Sequence, residues 1–181
     1  MQLHRSHDVD SPDFALKAKV PVQVLRHVAG ALAWAVLTCV LCFAILAAAK
    51  ALLPPQYWGA HTGLARFQRE MSLPLLLFWV VLYSPILETF LGQLLPLEIL
   101  RRFRVSQPVS IFIGAILWGI VHYLSGGLLH AIVALGSGAM FSLVYLRYRE
   151  PGVAPAYTTT ALARAVNNSL LLIAVACGFD A

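Results

Sequence analysis

The chain has few charged residues. Only 12% of its 181 residues are aspartate, glutamate, lysine or arginine, whereas about a quarter of the residues in a soluble domain are charged. Hydrophobic residues make up 60%, and the mean hydropathy is +0.78. This composition excludes an ordinary water-soluble domain and indicates a small polytopic membrane protein of one domain.

The sequence also lacks a cysteine framework and a concentrated basic patch. Its three cysteines, Cys39, Cys42 and Cys177, lie in apolar segments without a histidine cluster, which argues against disulfides and structural zinc. The formal net charge is +5, but the basic residues stand at the ends of apolar segments, where they act as topology signals. We therefore expect the lipid bilayer, and no nucleic acid, as a partner.

Apolar runs separated by proline, glycine and arginine predict an all-α bundle of about five transmembrane helices. We expect a cytoplasmic tail at residues 1–26 and a single transmembrane domain at residues 27–181. The expected spans are residues 27–53, 73–100, 110–124, 128–148 and 156–178. Because only residues 125–127 separate the third and fourth spans, these two should be antiparallel neighbours.

The distribution of lysine and arginine predicts a cytoplasmic N-terminus. In that orientation Arg101, Arg102, Arg104 and Arg149 lie on the cytoplasmic side, and Lys50 lies outside. We expect an integral protein of a bacterial inner membrane.

A carboxylate stands inside the second span. An ionisable residue at this depth is rare and faces a bundle interior or a wet cavity, so Glu88 is a candidate functional residue. Counted from the cytoplasmic helix ends, Glu88, His122 and Asn168 each lie about 13 or 14 residues in, roughly 20 Å at 1.5 Å per residue. Arg164 lies one turn before Asn168, on the same helix face. Three helices thus bring polar side chains to one level.

These residue types suit hydrolysis of a peptide bond. Glu88 beside His122 is suited to activate water as a general base. The Asn168 amide and the Arg164 guanidinium are suited to stabilise an oxyanion.

Other residues are expected to support this polar cluster or to pack beside it. Thr89 and Gln93 are four residues apart on the second span and should support the same cluster. Trp118 lies one turn before His122 and is expected to form a pocket wall. We interpret His130 as an interfacial or packing histidine.

Two other interpretations are open at this point. The polar residues can be structural, with Glu88 and Arg164 as a buried ion pair and His122 and Asn168 as interhelical hydrogen-bond partners. Alternatively, Glu88 and His122 can form the proton relay of a small transporter, although the chain shows no inverted repeat.

Three short motifs follow Ser84-Pro85 in order. They are Glu-Thr-x-x-x-Gln at residues 88–93, Trp-x-x-x-His at residues 118–122 and Arg-x-x-x-Asn at residues 164–168. From about residue 73 to 172 the chain resembles the CPBP family, which includes type II CAAX prenyl endopeptidases and bacteriocin-processing or abortive-infection membrane proteins. The family's third motif is His-x-x-x-Asn, so Arg164 makes this motif degenerate.

The resemblance implies a glutamate-dependent intramembrane endopeptidase. Glu88 would activate water with His122, Arg164 and Asn168 would stabilise the oxyanion, and the substrate would be a membrane-anchored or prenylated protein or peptide. Family members are often classed as metalloproteases. A zinc ion would have only Glu88 and His122 as ligands here, whereas a catalytic zinc normally has three, so we expect no required cofactor. The alternative is a non-proteolytic scaffold or immunity protein of the same family.

Overall fold

The described part of the chain contains five long helices. A computed structural model describes residues 12–58 and 71–179, and within these ranges it has helices and no strand. The helices are α1 (Pro12–Leu52), α2 (Leu73–Arg102), α3 (Gln107–Gly126), α4 (Leu128–Arg147) and α5 (Val153–Ala176). Each contains a stretch long and apolar enough to cross a membrane. The predicted all-α transmembrane bundle is confirmed.

Two helices begin earlier than the predicted spans, because their first turns include a proline that the prediction left outside the helix. The third span was placed from residue 110 and the fifth from residue 156, yet α3 begins at Gln107 and α5 at Val153. Pro108 and Pro155 therefore lie in the first turns of their helices. The first N–H groups of a helix have no partner within it, so proline is tolerated there.

Helix α1 extends into the predicted N-terminal tail. It begins at Pro12 and continues through Pro21, and its membrane-spanning stretch is Val22–Leu52. The second half of the tail placed at residues 1–26 is therefore helical, whereas residues 1–11 lie outside the described residues.

Helix α2 alternates between two hydrogen-bonding patterns. Its α-helical segments at Leu73–Leu77, Ser84–Thr89 and Leu95–Arg102 are separated by π-helical segments at Phe78–Tyr83 and Phe90–Leu94. Each α-helical segment has proline as its second residue. Proline lacks an N–H and crowds the carbonyl four residues earlier, so it disturbs the α-helical hydrogen-bonding pattern. In α2 the pattern changes to the wider π turn in the segments that come just before Ser84-Pro85 and Leu95-Pro96. Such π segments are frequent at functional sites.

Glycine lets α3 and α4 approach each other closely. Gly127 alone connects them, with a φ of 84° that favours glycine, so the predicted antiparallel pair is formed. A Cβ on Gly138 of α4 would lie 2.7 Å from the Cβ of Trp118 and 3.2 Å from the Cα of Ala115. Helix α4 is the central helix of the bundle, and its residues Phe141, Val144 and Tyr145 are almost fully buried.

We predict that Gly138→Ala destabilises the bundle and Gly136→Ala does not. The added methyl at residue 138 meets backbone and the stem of Trp118, and overpacking of this kind costs about 1–3 kcal/mol. At residue 136 it meets only the flexible end of Ile45, while alanine is intrinsically the better helix former. Thermal unfolding in detergent tests this pair, and equal midpoints for the two variants would contradict the packing described.

Candidate active site

Glu88 lies in the α-helical segment Ser84–Thr89, between the two π segments of α2. Its Oε2 accepts a hydrogen bond from Nη1 of Arg164 at 2.8 Å. Its Oε1 accepts a hydrogen bond from the hydroxyl of Ser84, one turn earlier in the helix. The side chain of Glu88 is 29% exposed, so part of it reaches the surface of the bundle.

Arg164 forms the other half of this ion pair and is almost completely buried. Only 3% of its side chain is exposed. Its Nη2 donates to Oε1 of Gln93 at 2.8 Å, and its Cζ lies 4.4 Å from the Trp118 ring centroid and 4.3 Å from that of Phe141. A guanidinium between two aromatic faces gains cation–π attraction, which is strongest when the cation is desolvated.

Arg164 thus joins the three sequence motifs and four helices. It contacts the first motif through Glu88 and Gln93 on α2, the second through Trp118 on α3, and α4 through Phe141. Gly92 permits this arrangement, because a Cβ there would lie 2.9 Å from Cε3 of Trp118. The guanidinium is the point where the motifs meet.

His122 lies beside this centre, one turn after Trp118. Its Nδ1 is 3.0 Å from the Trp118 carbonyl oxygen, so Nδ1 carries the proton in the neutral ring and Nε2 is the acceptor. The imidazole packs 4.5 Å from the Trp118 ring and 4.9 Å from the His130 ring, centroid to centroid. Glu88 interacts electrostatically with both histidines.

His130 was not expected at the site. The one-residue connection at Gly127 folds α4 back along α3, which brings His130 of the first turn of α4 against His122 of the last turns of α3. The signal that could have identified it was the shortness of this turn, because residues at similar distances on either side of a tight helical hairpin face each other.

Asn168 lies one turn after Arg164 on α5 and binds the backbone of α2. Its Nδ2 donates to the carbonyl of Val80 at 3.0 Å. That carbonyl is free because of the irregular hydrogen bonding of α2. The N–H of Ser84 bonds to the carbonyl of Trp79, and Pro85 has no N–H to offer the next carbonyl, that of Val80. An amide NH2 has two donor hydrogens, so one of them is used here.

The polar residues behind Glu88 are deeply buried and incompletely hydrogen bonded. Thr89 and Gln93 are fully buried, and Asn167 is 4% exposed. Within the described ranges, the Thr89 hydroxyl, Nε2 of Gln93, Nε of Arg164 and Oδ1 of Asn167 have no hydrogen-bond partner. Buried polar atoms are usually paired, and exceptions are often associated with function.

The donor set at this centre does not fit a catalytic metal ion. Among the residues that the structure describes, no three histidine, cysteine, aspartate or glutamate side chains lie together in a way that would hold a metal. The two expected ligands were Glu88 and His122. Of these, Glu88 already bonds to the Arg164 cation, and His122 could offer only Nε2, because its Nδ1 donates to a backbone carbonyl.

The fold and this centre define a small all-α membrane protein with a partly open carboxylate on a buried guanidinium. A family model described as type II CAAX prenyl endopeptidase Rce1-like matches residues 70–175, which is more than half of the 181-residue chain. The chain belongs to this family, which is one of proteases, and the resemblance seen in its motifs is confirmed. A search of curated proteins gave no match, and neither did a search of solved structures.

We predict that replacing Glu88 destabilises the protein more than replacing Arg164 does. Glu88→Leu leaves the buried Arg164 cation without its counter-charge, and removing one partner of a buried pair costs about 3–5 kcal/mol. Arg164→Met leaves Glu88, whose side chain is 29% exposed and can be solvated, while methionine keeps much of the packing volume. Unfolding midpoints in detergent should therefore fall further for Glu88→Leu, and the reverse order would contradict this assignment.

Proposed function

We propose that the protein is an intramembrane endopeptidase that uses Glu88 as its general base, in a bacterial inner membrane with its N-terminus in the cytoplasm. One observation supports this most. The three family motifs converge on Arg164, and Glu88 is the part of that centre that reaches the surface of the bundle. A base must be accessible to water and substrate, and its supporting residues need not be.

In the proposed reaction Glu88 takes a proton from a water molecule placed between its carboxylate and Nε2 of His122. A carboxylate has about four acceptor positions, and Ser84 and Arg164 occupy one on each oxygen, which leaves positions for water. The hydroxide attacks the peptide carbonyl carbon. The proton held by Glu88 then passes to the leaving nitrogen as the C–N bond breaks, which gives a carboxylic acid and an amine.

Arg164 acts in this proposal as a positioning residue. Its burial and its two engaged Nη atoms hold the Glu88 carboxylate in one orientation. Its fixed positive charge also favours the oxyanion that develops on the attacked carbonyl. Asn168 would donate to the same oxyanion with the amide hydrogen that is not bonded to the Val80 carbonyl.

The proposed substrate is a membrane-anchored or prenylated protein or peptide that approaches from the lipid. Leu91, one turn beyond Glu88 on the same helix face, is 53% exposed, and Leu87 beside it is 41% exposed. These side chains would face hydrocarbon in the membrane, so the exposed part of the Glu88 side chain would border the bilayer.

A second candidate is a non-proteolytic scaffold or immunity protein. Both oxygens of Glu88 are engaged within the protein, one by the Ser84 hydroxyl and one by the Arg164 cation. A carboxylate with both oxygens engaged in this way can be purely structural, since polar pairs between transmembrane helices also hold bundles together.

We predict that Glu88→Gln abolishes cleavage of a membrane-anchored peptide reporter while the protein stays folded. Glutamine keeps the shape and can still accept a hydrogen bond from Arg164, but it cannot take a proton from water. Loss of a general base lowers turnover by about 10²–10⁴-fold. The measurement is reporter cleavage in membranes at matched protein levels, and the control is Glu150→Gln, an exposed glutamate after α4.

The same reporter separates the two candidates through Arg164→His, which introduces the histidine of the family's third motif. Cleavage by the unmodified protein that depends on Glu88 supports the peptidase. An unmodified protein without cleavage, together with a gain of cleavage in Arg164→His, would instead show that the arginine closes the site.

We also predict that a strong chelator leaves the cleavage rate unchanged within about twofold, because the described donor set is smaller than the three protein ligands of a catalytic zinc. The test is cleavage by detergent-purified protein before and after chelation and dialysis. Loss of activity that added zinc restores would overturn it.

A further inference from the structure

A cavity lies at the opposite end of α2 from Leu73, where α2, α3 and α4 reach the same face of the bundle. Its volume is about 540 Å³. Four arginines, Arg101, Arg102, Arg104 and Arg149, line it together with Glu98. The charges of the lining residues therefore sum to three positive charges, and Glu88 is not one of these residues.

The single acidic residue of the cavity is already neutralised. Oε1 and Oε2 of Glu98 accept hydrogen bonds from Nε and Nη2 of Arg149 at 2.6 and 2.9 Å, and the Tyr145 hydroxyl donates to Oε1 at 2.9 Å. Hydrogen bonding to this carboxylate raises the pKa of Arg149. The other three arginines form no side-chain hydrogen bond or salt bridge with the described part of the chain.

Arg104 occupies a backbone position that normally requires glycine. Helix α2 ends in a Schellman motif, in which the N–H of Val105 bonds to the carbonyl of Leu100 and the N–H of Arg104 to that of Arg101. Arg104 has a φ of 56° and is the one non-glycine residue with a positive φ in the described ranges. Residues held in this strained region cluster at functional sites, and here the strained residue brings a cation to the cavity.

The start of α3 adds donors to the same cavity. Gln107, the first residue of α3, lines it, and the preceding Ser106 makes no side-chain capping hydrogen bond. The N-terminal N–H groups of a long helix attract anions. The guanidinium groups and this helix end together match the oxygens of a phosphate group.

Apolar side chains one or two residues from the lining residues in the sequence are exposed. Phe103 is 75% exposed and Phe112 is 66% exposed, and Ile99 and Val109 are about half exposed. A free phosphate ion would gain nothing from these side chains, whereas the acyl chains of a lipid would cover them. A polar anion pocket and exposed apolar side chains thus occur together where α2 ends and α3 begins.

We propose that this cavity binds the phosphate-bearing headgroup of an anionic membrane lipid. Arg101 and Arg104 contact the phosphate, Arg102 and the α3 terminus complete the anion site, and Phe103 and Phe112 contact the acyl chains. Basic pockets between transmembrane helices are known sites for such headgroups.

The test is binding of a short-chain phosphatidylglycerol to the full-length protein in neutral detergent. Each interfacial arginine contributes about 1 kcal/mol to the binding of an anionic lipid surface, or about fivefold in affinity. The double variant Arg101→Gln, Arg104→Gly should therefore bind about 25-fold more weakly. Arg104→Gly also relieves the strained backbone, so its unfolding midpoint without lipid should not fall, which separates lost binding from lost folding.

The matched control is Arg26→Gln, which removes an exposed arginine of α1 that does not line the cavity and should leave the affinity unchanged. Equal loss in this control and in the double variant would overturn the proposal in favour of diffuse attraction. Equal binding of the zwitterionic phosphatidylcholine would overturn it as well. Stabilisation by inorganic phosphate to the same extent as by phosphatidylglycerol would identify a free phosphate as the ligand and exclude the lipid.

Discussion

One buried positive charge governs the arrangement of this bundle. The Arg164 guanidinium is almost completely removed from solvent and receives its compensation from three helices other than its own: a carboxylate and an amide oxygen from α2 and aromatic faces from α3 and α4. An uncompensated charge in such a setting costs several kcal/mol. The relative positions of α2, α3, α4 and α5 are therefore fixed by the need to surround it.

The irregular path of α2 serves the same centre. The π segments bring Glu88 and Gln93, five residues apart, onto one guanidinium, and the proline after the first segment leaves the Val80 carbonyl for Asn168. Arg164 and Asn168, one turn apart on α5, thus bind α2 by a side-chain pair and by a side chain to backbone contact. The residues of the third motif hold α5 against α2 at two successive levels.

Much of this could be predicted from the sequence, because the relevant signals are local. Hydropathy and length gave the five spans, and counting residues from the helix ends placed Glu88, His122 and Asn168 at one depth. The sequence could not show which side of Arg164 faces which helix, so the contact with Phe141 was not predicted. The approach of His130 to His122 depends on the one-residue connection at Gly127. Asn168 donates a hydrogen bond to the Val80 carbonyl, which is available only because of the π segment. These features arise from tertiary geometry.

The order of the helices along the chain has a consequence for biogenesis. Glu88 and Arg164 are separated by 76 residues, and at a translation rate of about 5–20 residues per second the second partner follows the first by roughly 4–15 s. During that interval a newly inserted α2 carries a carboxylate without its counter-ion, because α5 follows the other four described helices in the chain. The contacts around Arg164 can therefore form only after α5 has been inserted, and that insertion is the step that fixes the packing of α2, α3 and α4 around it.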